Sequence, residues 1–87
     1  MPKAKARKPI HTERHRKFRA LLVEARKAAG LTQTQVAERL GKPPSYIAKI
    51  EIGERRVDVL EFLDLAAAVG FDPVEFLRLL REAPIEA

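Results

Sequence analysis

The stretch QTQVAERLGKPPSYIAKIEI, running from Gln33 to Ile52, decides how this chain folds. Val36, Ala37 and Leu40 recur at helical spacing, Gly41 interrupts them, and Ile47 and Ile50 resume the pattern. Two short helices joined through a glycine must cross at a steep angle. Ala37 is small enough to let them approach, and Gly41 can take the positive φ that the turn requires. Ala37, Gly41 and Ile47 fall four, eight and 14 residues after Gln33. That spacing makes the later helix project from the body with its outer face free to enter a DNA major groove. Val36, Leu40, Ile47 and Ile50 lock the pair together, and Ser45, Tyr46 and Lys49 are expected to point away from the core.

The flanks read as helices too. Upstream, Phe18, Leu21, Leu22, Ala25 and Ala29 form one apolar stripe, bounded by a cap at Thr12 and a stop at Gly30. Thr32 with Gln35 is a capping box for the helix that follows. Pro43 and Pro44 open the next one, where missing N–H groups cost nothing, and Gly53 ends it. Downstream, Asp58 caps a helix with Glu61 as its box partner, and Leu60, Leu63, Ala66, Ala67 and Val69 supply its apolar positions up to Gly70. Asp72, Pro73 and Glu75 repeat the start signal as cap, N1 proline and N3 acid; Phe76, Leu77 and Leu80 follow, and Pro84 marks the end. No segment alternates with period two, so the expected class is all-α without a sheet.

The domain organisation follows: a disordered basic arm over 1–11, a helical domain over 12–83 with its central motif at 33–52, and a tail over 84–87. Of the 17 basic residues, eight lie within residues 1–19 beside one acid, a local charge of +7, whereas the remainder sums to −2. A basic arm attracts phosphate backbones through counterion release; it also reads as a solvated tail. No cysteine is present, which excludes disulfides and thiolate metal sites and fits a reducing cytoplasm. No apolar run is long enough to span a bilayer. His11 and His15 share a spacing of four, but no further ligand completes a metal site, and no cofactor is expected. No glycine-rich phosphate loop, nucleophile elbow or convergent acid–base pair points to an enzyme.

In order along the chain, Arg26-Lys27-Ala28-Ala29-Gly30-Leu31-Thr32-Gln33, Ala37-Glu38-Arg39-Leu40-Gly41, Ser45-Tyr46-Ile47-Ala48-Lys49-Ile50-Glu51 and Gly53-Glu54-Arg55-Arg56 resemble the Xre family of helix-turn-helix regulators, the phage repressor and Cro type. Glu61-Phe62-Leu63 and Gly70-Phe71-Asp72-Pro73 continue the likeness, which covers roughly residues 15–82. The resemblance implies a compact five-helix, lambda-repressor-like DNA-binding domain. It places Gln33 on a phosphate and Pro44, Ser45, Tyr46 and Lys49 at base-facing positions, with Ser45 also readable as a first-turn cap and Tyr46 as a cover for the core's rim. It puts Arg55 and Arg56 near the DNA backbone or a minor groove. It makes Arg26 and Glu51 a structural ion pair. Relatives often carry glutamine near position 44; Pro44 cannot make that residue's paired hydrogen bonds to adenine.

Phe71, Phe76, Leu77, Leu79 and Leu80 offer more apolar surface than one side of a last helix needs, and the resemblance implies a homodimer through the C-terminal helices; the other reading is that all of these side chains pack inside the monomer. The expected function is sequence-specific binding of double-stranded DNA at a palindromic operator by a transcriptional repressor. The alternative is a protein-binding module, such as the antitoxin partner of a toxin, with DNA binding secondary; an architectural binder using the arm alone is a third reading.

Overall fold

The computed structural model describes residues 12–84 and builds them into five helices: α1 (Glu13–Ala28), α2 (Gln33–Arg39), α3 (Ser45–Glu51), α4 (Val59–Val69) and α5 (Pro73–Leu80). No strand occurs among the described residues. The basic arm with its expected disorder, His11, and all of the tail except Pro84 lie outside them.

Local chemistry accounts for most helix boundaries. The Thr12 hydroxyl accepts from the His15 N–H at 3.1 Å and starts α1. The Thr32–Gln35 box is reciprocal: Gln35 N donates to Thr32 Oγ1 at 3.0 Å, and Thr32 N donates to Gln35 Oε1 at 2.9 Å. The Asp58–Glu61 box closes in the same way at the start of α4, at 2.8 and 3.1 Å. Between α2 and α3, Gly41 adopts φ +67°, and the Lys42 N–H reaches back to the Ala37 carbonyl at 2.9 Å.

Two starts depart from expectation. Pro44 does not open α3 from inside; it occupies the cap position, so no side chain caps the helix, and Ser45 is its first residue. At α5, Asp72 accepts from the Val74 N–H at 2.9 Å, but Glu75 closes no box. Its carboxylate takes Arg78 instead, at 2.7 and 3.0 Å. The helix stops at Leu80, and a turn through Ala83 follows, fastened to α1 by Arg14, whose guanidinium donates to the Ala83 carbonyl at 2.7 and 3.2 Å.

The core joins Leu22 of α1, Val36 and Ala37 of α2, Tyr46, Ile47 and Ile50 of α3, Phe62 and Leu65 of α4, and Phe76 of α5. Ala37 is fully enclosed where α2 meets α3. Phe18, Phe62, Phe71 and Phe76 form an aromatic cluster with centroids 4.9–6.0 Å apart. This cluster sets the face of α4. Phe62, Leu65 and Ala66 turn inward, whereas Leu60, expected inside, is 72% exposed and Leu63 is exposed with it. The C-terminal aromatics are likewise used up within the domain. Phe76 is buried, Phe71 and Leu80 pack against the core, Leu79 is half-buried, and only Leu77 of the expected surplus is exposed. Among the described residues, no helix is long and apolar enough to cross a membrane.

Ile50 is almost completely enclosed between α3 and its neighbours. Ile50→Ala should lower the unfolding free energy by about 2–5 kcal/mol, read as a lower denaturation midpoint with an unchanged slope.

Candidate nucleic-acid interface

The orientation of α3 is set at its C-terminal end. Glu51 receives Arg26 of α1 in a forked pair, Nε to Oε2 at 2.7 Å and Nη2 to Oε1 at 3.1 Å. The remaining arm of that guanidinium donates to the Leu31 carbonyl at 2.9 Å, holding the α1–α2 link. Gln33 of α2 adds Nε2 to Glu51 Oε1 at 2.7 Å. Three helices thus meet on one carboxylate, and the side chains of Arg26 and Glu51 keep only 12% and 8% of their exposure. Charge-assisted forked bonds of this kind are short and directional.

With its inner face in the core and its end tied down, α3 presents Ser45 and Lys49 to solvent, with Pro44 just ahead of them. None of the three makes a side-chain bond among the described residues. Tyr46 differs from its expected outward orientation: it is 8% exposed and belongs to the core cluster. The reason is its neighbours. Arg55 Cζ lies 4.7 Å and Lys42 Nζ 5.4 Å from its ring centroid, so two cations lie over the ring that the core cluster holds. Burial raises the Tyr46 phenol above its ordinary range and Glu61 adds to this, while Arg55 opposes it. The spacing that marked Tyr46 as a surface residue carries no trace of these partners, which come from the turn before α3 and the loop after it.

Arg55 is itself engaged. Its Nη1 and Nη2 donate to Glu61 at 3.2 and 2.9 Å, and Nη1 also donates to the Arg56 carbonyl at 2.8 Å. These bonds raise the Arg55 guanidinium and hold the Glu61 carboxyl below the usual carboxylate range. Arg56 is exposed, and its charge is felt at His15 of α1. Burial lowers the His15 imidazole, and the charges of Arg19 and Arg56 lower it further. The structure therefore gathers Lys42, Tyr46 and Arg55 beside the N-terminal half of α3, while Gln33 sits with Arg26 and Glu51 at the other end. Lys42 was missed by sequence reasoning, although a cation in the turn just before a projecting helix is a usable signal.

The helix-turn-helix family model matches residues 22–76 of the chain. An uncharacterized HTH-type transcriptional regulator of Sinorhizobium fredii is 36% identical over 59 residues, which cover 68% of this chain and 77% of the relative. Among solved structures, an XRE-family like protein from Pseudomonas syringae pv. tomato superposes with a TM-score of 0.75 at 47% identity, covering 78% of this chain and 83% of that one. The restriction-modification controller protein C.AhdI from Aeromonas hydrophila superposes with a TM-score of 0.65 at 37% identity, over 71% of this chain and 94% of its own.

Removing one partner of the enclosed pair strands the other. Glu51→Ala should cost about 3 kcal/mol of stability, and Glu51→Gln, which keeps an acceptor for Arg26, should cost less. Thermal unfolding of the two variants beside the parent tests this; an unchanged melting temperature in Glu51→Ala would show that the pair holds nothing.

Proposed function

The chain belongs to the helix-turn-helix family, Xre type, a family of transcriptional regulators and not of enzymes, and on that premise we propose that it is a repressor that reads a palindromic operator with α3 as a homodimer. The observation that carries this reading is the outer face of α3: side chains with free hydrogen-bonding groups, on a helix whose other face and far end are fixed.

Each residue then has a task set by its chemistry. Lys49 donates to guanine O6 or N7, and the Ser45 hydroxyl donates or accepts at a neighbouring base edge. Pro44 offers only apolar contact, suited to a thymine methyl. Arg55 and Arg56 neutralise phosphates beside the groove. Gln33 spends one N–H of its amide on Glu51 and keeps the second for a phosphate, so it can report backbone position without leaving the node. Tyr46 acts from beneath, as the surface on which Lys42 and Arg55 rest. The cationic N-terminal region adds affinity that does not depend on sequence. Repression follows from occupying the operator, in the cytoplasm where the DNA is.

The dimer is proposed through Leu60 and Leu63 of α4 and Val74 and Leu77 of α5, with Leu77 50% exposed and Val74 more so. Large apolar side chains exposed on two adjacent helices mark an association surface. A two-fold dimer presents two α3 helices about 34 Å apart, one turn of DNA, and so matches an inverted repeat.

Selection from random duplexes should return an inverted repeat. Lys49→Ala should relax preference at one position per half-site at a cost of about 1–3 kcal/mol, whereas Arg56→Ala should weaken all duplexes alike and reduce the salt slope by about one. A pool that binds without a motif would sink the sequence-specific reading. Separately, Leu77→Asp should sediment as a monomer with its helical content intact and bind the full operator less tightly; an unchanged dimer would place the interface elsewhere.

A further inference from the structure

Glu61 reads from sequence as a capping acid, and the structure gives its carboxylate a second occupation. Oε1 accepts from the Asp58 N–H at 3.1 Å and from Arg55 Nη1 at 3.2 Å, and Oε2 accepts from Arg55 Nη2 at 2.9 Å. The terminal edge of the guanidinium, the edge that suits a two-point contact to a phosphate, is therefore already filled. Tyr46 supports the group at 4.7 Å, and the Arg56 carbonyl takes a further N–H. Among the described residues, nothing accepts from its Nε–H. Arg55 is thus held in a fixed place, next to a carboxylate that cancels its charge.

We propose that Glu61 is an internal competitor for Arg55, which a DNA phosphate must displace before the guanidinium can contact the backbone. The pair sits at the surface, with 37% and 26% of its side-chain area exposed, so water and salt weaken it and it can open. While it is closed, Arg55 adds little to the long-range attraction for DNA. Docking of α3 brings a phosphate alongside, and a phosphate then offers the guanidinium what the carboxylate offered. The Asp58 cap survives the exchange, because it rests on a different donor. Glu61 thereby restrains binding that rests on charge alone and leaves Arg55 available once the helix is seated. This inference rests on the reading that Arg55 contacts DNA.

Glu61→Gln removes the charge and keeps both the acceptor for the Asp58 N–H and a capping-box residue, so α4 should fold as before. Its affinity for a selected duplex should rise about two- to fivefold, the range expected for a half-exposed ion pair. In an Arg55→Gln background the same change should give no gain, because the competitor then has nothing to hold. A gain that persists without Arg55 would overturn the proposal and leave a general charge effect. An unchanged or weaker affinity of Glu61→Gln, with Arg55→Ala still weakening binding, would also overturn it and make Glu61 a positioning residue. Should Arg55→Ala leave both affinity and salt slope unchanged, the placement of Arg55 on DNA falls, and the proposal with it. In the parent protein, the Arg55 Nε–H resonance should shift on adding the duplex; a resonance that stays in place contradicts displacement independently of any variant.

Discussion

Three helices converge on the carboxylate of Glu51, and the geometry of the domain depends on that convergence. Alone, α3 is two turns long, too short to persist in water without tertiary contacts. Its inner residues Tyr46, Ile47 and Ile50 give it adhesion to the core, but apolar burial is not directional. The direction comes from Arg26. A planar fork donates to a carboxylate in one arrangement, and its third arm donates to the Leu31 carbonyl at the α1–α2 link. Gln33 then ties the start of α2 to the same acceptor. Enclosing a charge is costly unless its hydrogen bonds are filled, and here both carboxylate oxygens are.

From that node outward, the surface divides by chemistry. The exposed side of α3 carries neutral and cationic hydrogen-bonding groups of modest size, the kind that fit a groove floor. The turn before it and the loop after it carry Lys42, Arg55 and Arg56, the kind that meet a phosphate wall. Tyr46 connects the two regions from below, with its ring in the core and cations over it. Most of the exposed apolar side chains, Val59, Leu60, Leu63, Val74 and Leu77, belong to the last two helices, with Ile52 at the end of α3 apart from them.

Much of this was legible along the chain because it is local. Caps and glycine stops act within four residues, so Thr12, Thr32, Asp58 and Gly41 marked their turns correctly. The family resemblance supplied the Arg26–Glu51 pairing, which spans 25 residues and which no local pattern could have given. What failed was selection among faces. The α4 sequence VLEFLDLAAAV is apolar nearly all round, so periodicity does not choose between Leu60 and Phe62; the aromatic cluster with Phe18, Phe71 and Phe76 does. Tyr46 is a related case: its spacing left the outer face and the core's rim both open, and packing in the core cluster beneath Arg55 and Lys42 decides for the core. Arg14 on the Ala83 carbonyl, 69 residues away, left no sign in the sequence at all.

The claim on which the rest stands is that the outer face of α3 is the surface that meets DNA. Amide chemical-shift mapping of the full chain with a duplex recovered by selection tests it directly. The account predicts the largest changes over residues 44–49 and at Arg55, Arg56 and Glu61, with Leu63 of α4 and Val74 and Leu77 of α5 unmoved by DNA. Changes confined to the exposed faces of α4 and α5, with α3 silent, would contradict it.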